Sequence, residues 1–293
     1  MSFTGMPTRV QRIMTQPSAN DEGAQRFPRG KALPTQSPIF WVQQKDRYLR
    51  QLLIADIEEL TGRRLVVYFA NRFKNDSIIN AGDVPYVAEL LGDIDRAPTD
   101  LLLETNGGMT DATEALVSLL QSVAPDLRVI VVNAAKSNGT MICLAAREII
   151  MGPPSELGPI DPHLNDIPAS ILAEPAIAQQ NYALHRLATY AIKQTEKLAT
   201  SLLKNGMLTG KSDAEVKTLV DALSTKNVFF SHGSVIDHRE AQQLGLSVLY
   251  LDAADELWQR IWLLHCMYAQ DITTMNYLKI FEGRARSTSI ASK

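Results

Sequence analysis

Four short apolar runs punctuate the first half of the chain: LVVYFA (65–70), DLLLE (100–104), LRVIVVN (127–133) and EIIM (148–151). They are compact and rich in β-branched residues rather than alternating, the pattern of strands buried on both faces. Between them, at 83–93, 111–123 and 140–146, apolar residues recur at helical spacing. Strand, helix and strand in repetition, with short connections, predict a parallel sheet in an α/β domain. Beyond it a long helix is expected from about Ala176 to Lys204, stopped by Asn205-Gly206. Its apolar stripe would use Leu184, Leu187, Ala191, Leu198 and Leu202, which lie within about 60° of one another. A second amphipathic helix is expected from about Ala254 to Tyr268, with Leu257, Ile261 and Leu264 on one face.

The pattern also sets boundaries. Residues 1–38 carry Pro7, Pro17, Pro28, Pro34 and Pro38 among few large apolar side chains, and are expected to form a disordered N-terminal arm. Residues 39–271 form the globular domain, and 272–293 a C-terminal tail whose RARSTSIASK end is small, polar and expected to be disordered.

Composition narrows the classes. With 293 residues, 45% apolar and 21% charged, the chain is long enough to bury a core without staples. A net charge of −3 gives no electrostatic reason to bind nucleic acid or an anionic membrane. The longest uninterrupted apolar run, Leu65–Ala70, is six residues, far short of a membrane span. Arg9 and Arg12 are followed by no apolar stretch of the secretory kind. The two cysteines, Cys143 and Cys266, sit in apolar runs and are expected to be buried thiols in a reducing, cytoplasmic compartment. No phosphate loop, dinucleotide-binding glycine pattern or Cys/His cluster of metal-ligand spacing appears, so neither a cofactor nor a metal is expected. Trp41, Trp258 and Trp262 are expected in cores or subunit contacts.

Candidate chemistry lies in two successive strand-to-helix turns. In the first, Thr105-Asn106-Gly107-Gly108-Met109, paired glycines let the backbone approach a ligand and present its amides. In the second, Ala134-Ala135-Lys136-Ser137-Asn138-Gly139-Thr140, a serine stands where a buried strand becomes a helix. Ser137 could simply cap that helix. Ala135 also replaces the first glycine of a G-x-S-x-G elbow, which disfavours an α/β-hydrolase. The thirty positions from Gly107 to Ser137 fit one helix and one return strand, which puts the turns side by side at the carboxyl edge of the sheet.

The blocks LLLETNGGMTDATEAL, AAKSNGTMICLAAREIIMGPPSELGPIDP and FFSHGSVIDHREAQQLGL together resemble the serine dehydrogenase proteinase family. That family belongs to the Clp-protease-like and signal-peptide-peptidase-like serine peptidases, and the likeness covers about residues 60–252. It implies a ClpP/crotonase-like spiral of ββα units, α/β in class, with a mostly parallel sheet and flanking helices. It also implies Ser137 as nucleophile and the backbone amides of Gly107 or Gly108, and of Asn138, as an oxyanion hole.

Ser137 needs a base, and several candidates stand. His163 follows Ser137 at a spacing close to that of Clp-type peptidases. Aligning Pro154-Ser155 with the family's turn, however, puts the usual histidine near Ile160-Asp161. Counting back from Glu240-Ala241 puts the usual aspartate at Gly233, beside His232. This suggests a swapped arrangement, with His232 as base and Asp161 orienting it. Lysine is a third possibility, as in Ser–Lys relatives. Lys193 and Lys197, though, fall about 180° and 220° from Leu184 and are expected to be solvated and protonated. Lys136, adjacent to the nucleophile, is discounted because neighbouring side chains diverge.

The expected function is a serine peptidase acting on a protein or peptide substrate as a homo-oligomer, without nucleic-acid or membrane partners. The alternatives are a crotonase-type acyl-CoA enzyme and a catalytically inactive ClpP-like scaffold.

Overall fold

The computed structural model describes residues 37–292. The expected N-terminal arm lies outside the described residues apart from its last two, where Pro38 opens the first helix. The first half comprises α1 (Pro38–Gln43), α2 (Lys45–Thr61), β1 (Arg64–Ala70), α3 (Asp83–Leu91), β2 (Thr99–Thr105), α4 (Thr110–Val123), β3 (Leu127–Ala135), α5 (Asn138–Leu144) and β4 (Glu148–Met151). There follow β5 (Glu156–Leu157), β6 (His163–Leu164), β7 (Ile167–Pro168), α6 (Ala169–Leu172), α7 (Pro175–Gln180), α8 (Tyr182–Asn205) and α9 (Asp213–Ser224). The chain closes with α10 (His238–Gln243), β8 (Val248–Tyr250), α11 (Glu256–Thr274), β9 (Tyr277–Gly283) and β10 (Ser287–Ala291).

The main sheet runs β10-β9-β1-β2-β3-β4-β8 and is parallel from β1 to β8. This is an α/β fold with a mostly parallel sheet flanked by helices. The four apolar runs are its central strands, and β2 is buried at every position. Successive residues alternate between two cores. Leu101, Leu103, Val129 and Val131 face the side covered by α3, α4, α5, α8 and α9. Leu102, Ile130 and Val132 face α2 and α11.

Three expectations need correction. The C-terminal segment is not disordered: β9 pairs antiparallel with β1, and β10 pairs with β9. Its charges hide it from a hydropathy reading because they are buried in pairs. Lys279 Nζ lies 2.6 and 2.7 Å from the two oxygens of Asp83, which also accepts from Tyr68. Glu282 meets Arg50 Nε at 2.6 Å and the Tyr268 hydroxyl at 2.6 Å. The long helix is broken at Asn181, whose side chain caps the N-terminus of α8. Its buried residues are Ala188, Thr195, Ala199, Leu202 and Leu203, while Leu187 is exposed. Finally, Cys143 is buried, but α11 turns Cys266 outward.

Two features of the sheet carry the site. Pairing of β2 with β3 slips at the carboxyl edge, from Leu103 opposite Val131 to Thr105 opposite Ala135. Such irregularities bend a strand and re-aim the residues beyond it. Past the end of β4, β3 takes a new neighbour: Ala134 and Ala135 pair with Glu156 and Leu157 of β5. The chain leaving β5 passes directly into Asp161.

Candidate active site

The two strand-to-helix turns are in contact. Lys136 N donates to Thr105 O (3.0 Å), and Asn138 Nδ2 reaches across to Gly108 O (2.6 Å). Gly107 has φ 101°, and a Cβ there would stand 2.8 Å from both the Ser137 Cβ and the Lys136 carbonyl. Any side chain at that position would push the turns apart.

Ser137 sits at φ 53°, ψ −119°, a strained conformation for a residue with a side chain, and its hydroxyl does not cap α5. The capping role that its residue type favours is therefore not the one it plays. The strand-to-helix turn is thus sharp and strained at the serine even though Ala135 replaces the first glycine of the G-x-S-x-G pattern. Gly139 keeps the other elbow glycine's function, since a Cβ there would lie 2.6 Å from Thr105 Cγ2.

The expected oxyanion donors are not equivalent. Gly107 N donates to Thr105 Oγ1 (3.0 Å) and is already used. The N–H groups of Gly108 and Asn138 donate to no group among the described residues. They flank the turn that carries Ser137.

Asp161 is 4% exposed and gathers three donors. His232 Nδ1 lies 2.9 Å from its Oδ1; His163 Nε2 lies 2.9 Å and Lys226 Nζ 2.6 Å from its Oδ2. Burial alone would push this carboxyl up, but the hydrogen bonds from His232, Lys226 and His163 outweigh it and hold the pKa below the ordinary value. An ionised carboxylate only accepts, so the ring nitrogens facing it carry the protons. In a neutral ring this leaves the lone pair on Nε2 of His232 and on Nδ1 of His163. The two rings pack at 4.2 Å between centroids. No hydrogen bond joins the Ser137 hydroxyl to either ring. In unliganded sites such bonds are commonly loose and tighten with substrate.

Each of these side chains is set by local structure. His163 stands on the β6–β7 hairpin, turned by Asn165 and Asp166, both at positive φ. His232 lies in the tight turn closed by Ser234 N on Ser231 O (3.1 Å). Ile236, just beyond, bridges Leu157 of β5 in both directions.

Lys136 ties these pieces to the serine turn. Its Nζ donates to Leu157 O and Ser234 O, each at 3.0 Å, and pairs with Glu156 at 3.2 Å. Burial lowers its pKa, against the pull of Glu156. Its donors are committed, which removes it as a base and makes it a clamp. Lys193 and Lys197 are exposed. Sequence reasoning missed Lys226, which is remote from Asp161 in the chain, and missed the clamp, whose only signal was its position beside Ser137.

The site thus belongs to a class: a serine turn with free main-chain donors beside a histidine–carboxylate pair, on a mostly parallel α/β sheet. The chain belongs to the ClpP-like SDH-type serine proteinases, whose family model matches residues 90–283. Among curated proteins it is similar to two uncharacterized proteins of Methanocaldococcus jannaschii. One is 34% identical over 159 residues, covering 52% of this chain and 53% of that protein. The other is 29% identical over 157 residues, covering 52% of each. The chain thus spans about half the length of the curated relatives it matches. Among solved structures, a mutant of a membrane-bound stomatin-specific protease aligns at TM-score 0.41 and 21% identity, over 62% of this chain and 79% of that one. A mutant ClpP1 from Listeria monocytogenes aligns at TM-score 0.44 and 18% identity, over 71% and 99%. Likeness at that level says nothing of this chain's chemistry.

Proposed function

We propose that this chain is a serine peptidase in which Ser137 is the nucleophile, His232 the general base and Asp161 the residue that orients it. Ser137 Oγ attacks the carbonyl carbon of a peptide bond while its proton passes to His232 Nε2. Asp161 holds the ring in the required tautomer and stabilises the imidazolium that forms. The Gly108 and Asn138 amides receive the developing oxyanion, each such donor being worth about 10²–10³ in rate. His232 then protonates the leaving amine, and water, activated by the same histidine, hydrolyses the acyl-enzyme.

The observation that carries this reading is the contact of His232 Nδ1 with Asp161 Oδ1 at 2.9 Å, which frees Nε2 for proton transfer. The uncapped, strained Ser137 turn supports it. His163 approaches the same carboxylate through Nε2 at 2.9 Å and is the alternative base, to which we assign a supporting role. Gly108 takes the place in the oxyanion hole that sequence reasoning shared with Gly107. The substrate is a protein or peptide. Assembly as a homo-oligomer is supported by the exposed Tyr182, Leu187 and Tyr190 of α8 and Trp262 and Leu263 of α11.

A fluorophosphonate probe tests the reading. It is expected to label the wild-type chain at Ser137, located by mass spectrometry, and not to label Ser137→Ala. A folded wild-type chain that resists labelling contradicts it, and coenzyme A binding that survives Ser137→Ala would favour acyl-CoA chemistry.

A further inference from the structure

The side chains of Asp161, His163 and His232 also answer a different chemistry. The geometry points to a binding site for Zn²⁺ or a similar late first-row divalent cation, held by Asp161, His163 Nε2 and His232 Nδ1. Metal binding stands on the ligand geometry alone. Its consequence, inhibition of the hydrolase, rests on the function proposed above.

Two imidazoles and one carboxylate, with a fourth position left to water, are an established zinc donor set. One donor atom from each residue lies within 4.8 Å of the others, and among the described residues no other three such side chains converge in this way. A tetrahedral zinc ion with ligands at about 2.0–2.1 Å asks for donors roughly 3.3 Å apart. His232 Nδ1 meets Oδ1 of Asp161 and His163 Nε2 meets Oδ2, each at 2.9 Å. Either carboxylate oxygen thus already stands near one ring, and the other ring must turn toward it as the gap between the two nitrogens closes. The ring side chains are 22% and 32% exposed, which gives an ion access and the rings room to turn. The arrangement is a metal site with N–H protons where the metal would stand. Sequence spacing gave no hint of it, because β6 and the 231–234 turn meet only in the fold.

Lys226 opposes the ion. Its ammonium holds Asp161 Oδ2 at 2.6 Å and must withdraw or share the carboxylate. The site is therefore reversible by construction, poised between an internal cation and an external one.

The consequence for His232 comes from its tautomer. Zinc bonded to Nδ1 displaces the proton from that nitrogen, and the neutral ring then carries its proton on Nε2. His163 shifts its proton from Nε2 to Nδ1 in the same way. With Nε2 protonated and Nδ1 on the metal, His232 cannot accept the Ser137 proton. Metal binding and catalysis become mutually exclusive without any change of fold.

The test is direct: equilibrium dialysis of the full chain against Zn²⁺, with bound metal measured by atomic absorption. One ion per chain is expected. Asp161→Asn, His163→Ala and His232→Ala should each weaken binding by about tenfold or more. Ser137→Ala should leave stoichiometry and affinity as they are. Lys226→Met should tighten binding several-fold, a gain that loss of folding cannot mimic; circular dichroism confirms that each variant is folded. Zinc bound equally by wild type and by all three ligand variants, or not bound by the folded wild type, overturns the site. Zinc binding as predicted in a chain that resists the fluorophosphonate probe would uphold the metal site and reject the hydrolase. Labelling of Ser137 with no zinc binding would do the reverse.

Discussion

Asp161 and Glu104 are both almost wholly buried, and burial ends differently in each. Asp161 accepts from two imidazoles and the Lys226 ammonium, and stays ionised. Glu104, at the end of β2 on the α11 side, accepts from Asn133 Nδ2 and Ala134 N, with Arg72 no nearer than 3.6 Å. Desolvation wins there and pushes its pKa up to about 7. The nearby His265 ring does not rescue it: Nδ1 stands 3.9 Å away, and burial takes its pKa down to about 4. The pair is therefore not an ion pair at neutral pH. Burial by itself does not set the charge of a carboxylate; the number and charge of the donors aimed at it do.

The linkage to stability has opposite signs at the two positions. Asp161 has a folded pKa below its unfolded value, so its contribution is present above pH 3.8 and is lost as pH falls through the folded value. Glu104 has a raised folded pKa, so its contribution is complete below pH 4.5 and is lost as pH climbs to about 7. His265 opposes Glu104 across much of that window, because its lowered pKa makes stability rise with pH from about 4 to 6.5.

The contrast can be broken at Asp161 first. Asp161→Asn should lower kcat by about 10⁴ in peptide hydrolysis while the protein still melts cooperatively, because the histidine loses its tautomer rather than its place. Next is Glu104→Gln, which should leave turnover largely intact. It should stabilise the fold at pH 8 by on the order of 3 kcal/mol, from about 1.4 kcal/mol per unit of pKa shift. Urea midpoints measured from pH 4 to 8 should then lose the fall contributed by Glu104 and leave the rise contributed by His265 more visible. Lys136→Met, which removes the clamp but no member of the proposed triad, should reduce kcat by about 10²-fold through misplacement of the groups it ties together. The unchanged KM of a short peptide would separate that from loss of binding. The smallest effect is expected at His163→Ala, less than about tenfold in kcat or 1.4 kcal/mol in the barrier.

Much of the frame was legible in the sequence, because strands buried on both faces leave continuous apolar runs. β4 matches its run residue for residue, and β1 to β3 differ from theirs by one or two positions. Ser137 stood out as a polar residue where an apolar strand turns into a helix, and Asp161 and His232 emerged from the family's spacing. β9 did not, because Lys279 and Glu282 are charged residues whose partners, Asp83 and Arg50, lie far away in the chain. β10 is a mostly polar edge strand with little apolar signal to give. The occupied amide of Gly107 depends on a Thr105 hydroxyl rotamer, and Lys226 approaches Asp161 only through packing of the loop after α9. Neither leaves a trace in spacing.

The central claim is that His232, oriented by Asp161, activates Ser137. It is tested most directly by the rate of fluorophosphonate labelling in two single variants, each checked for folding by circular dichroism. The account predicts that His232→Ala slows labelling of Ser137 by about 10³-fold or more while His163→Ala stays within about tenfold of wild type. The reverse order, or equal rates in the two variants, would contradict it.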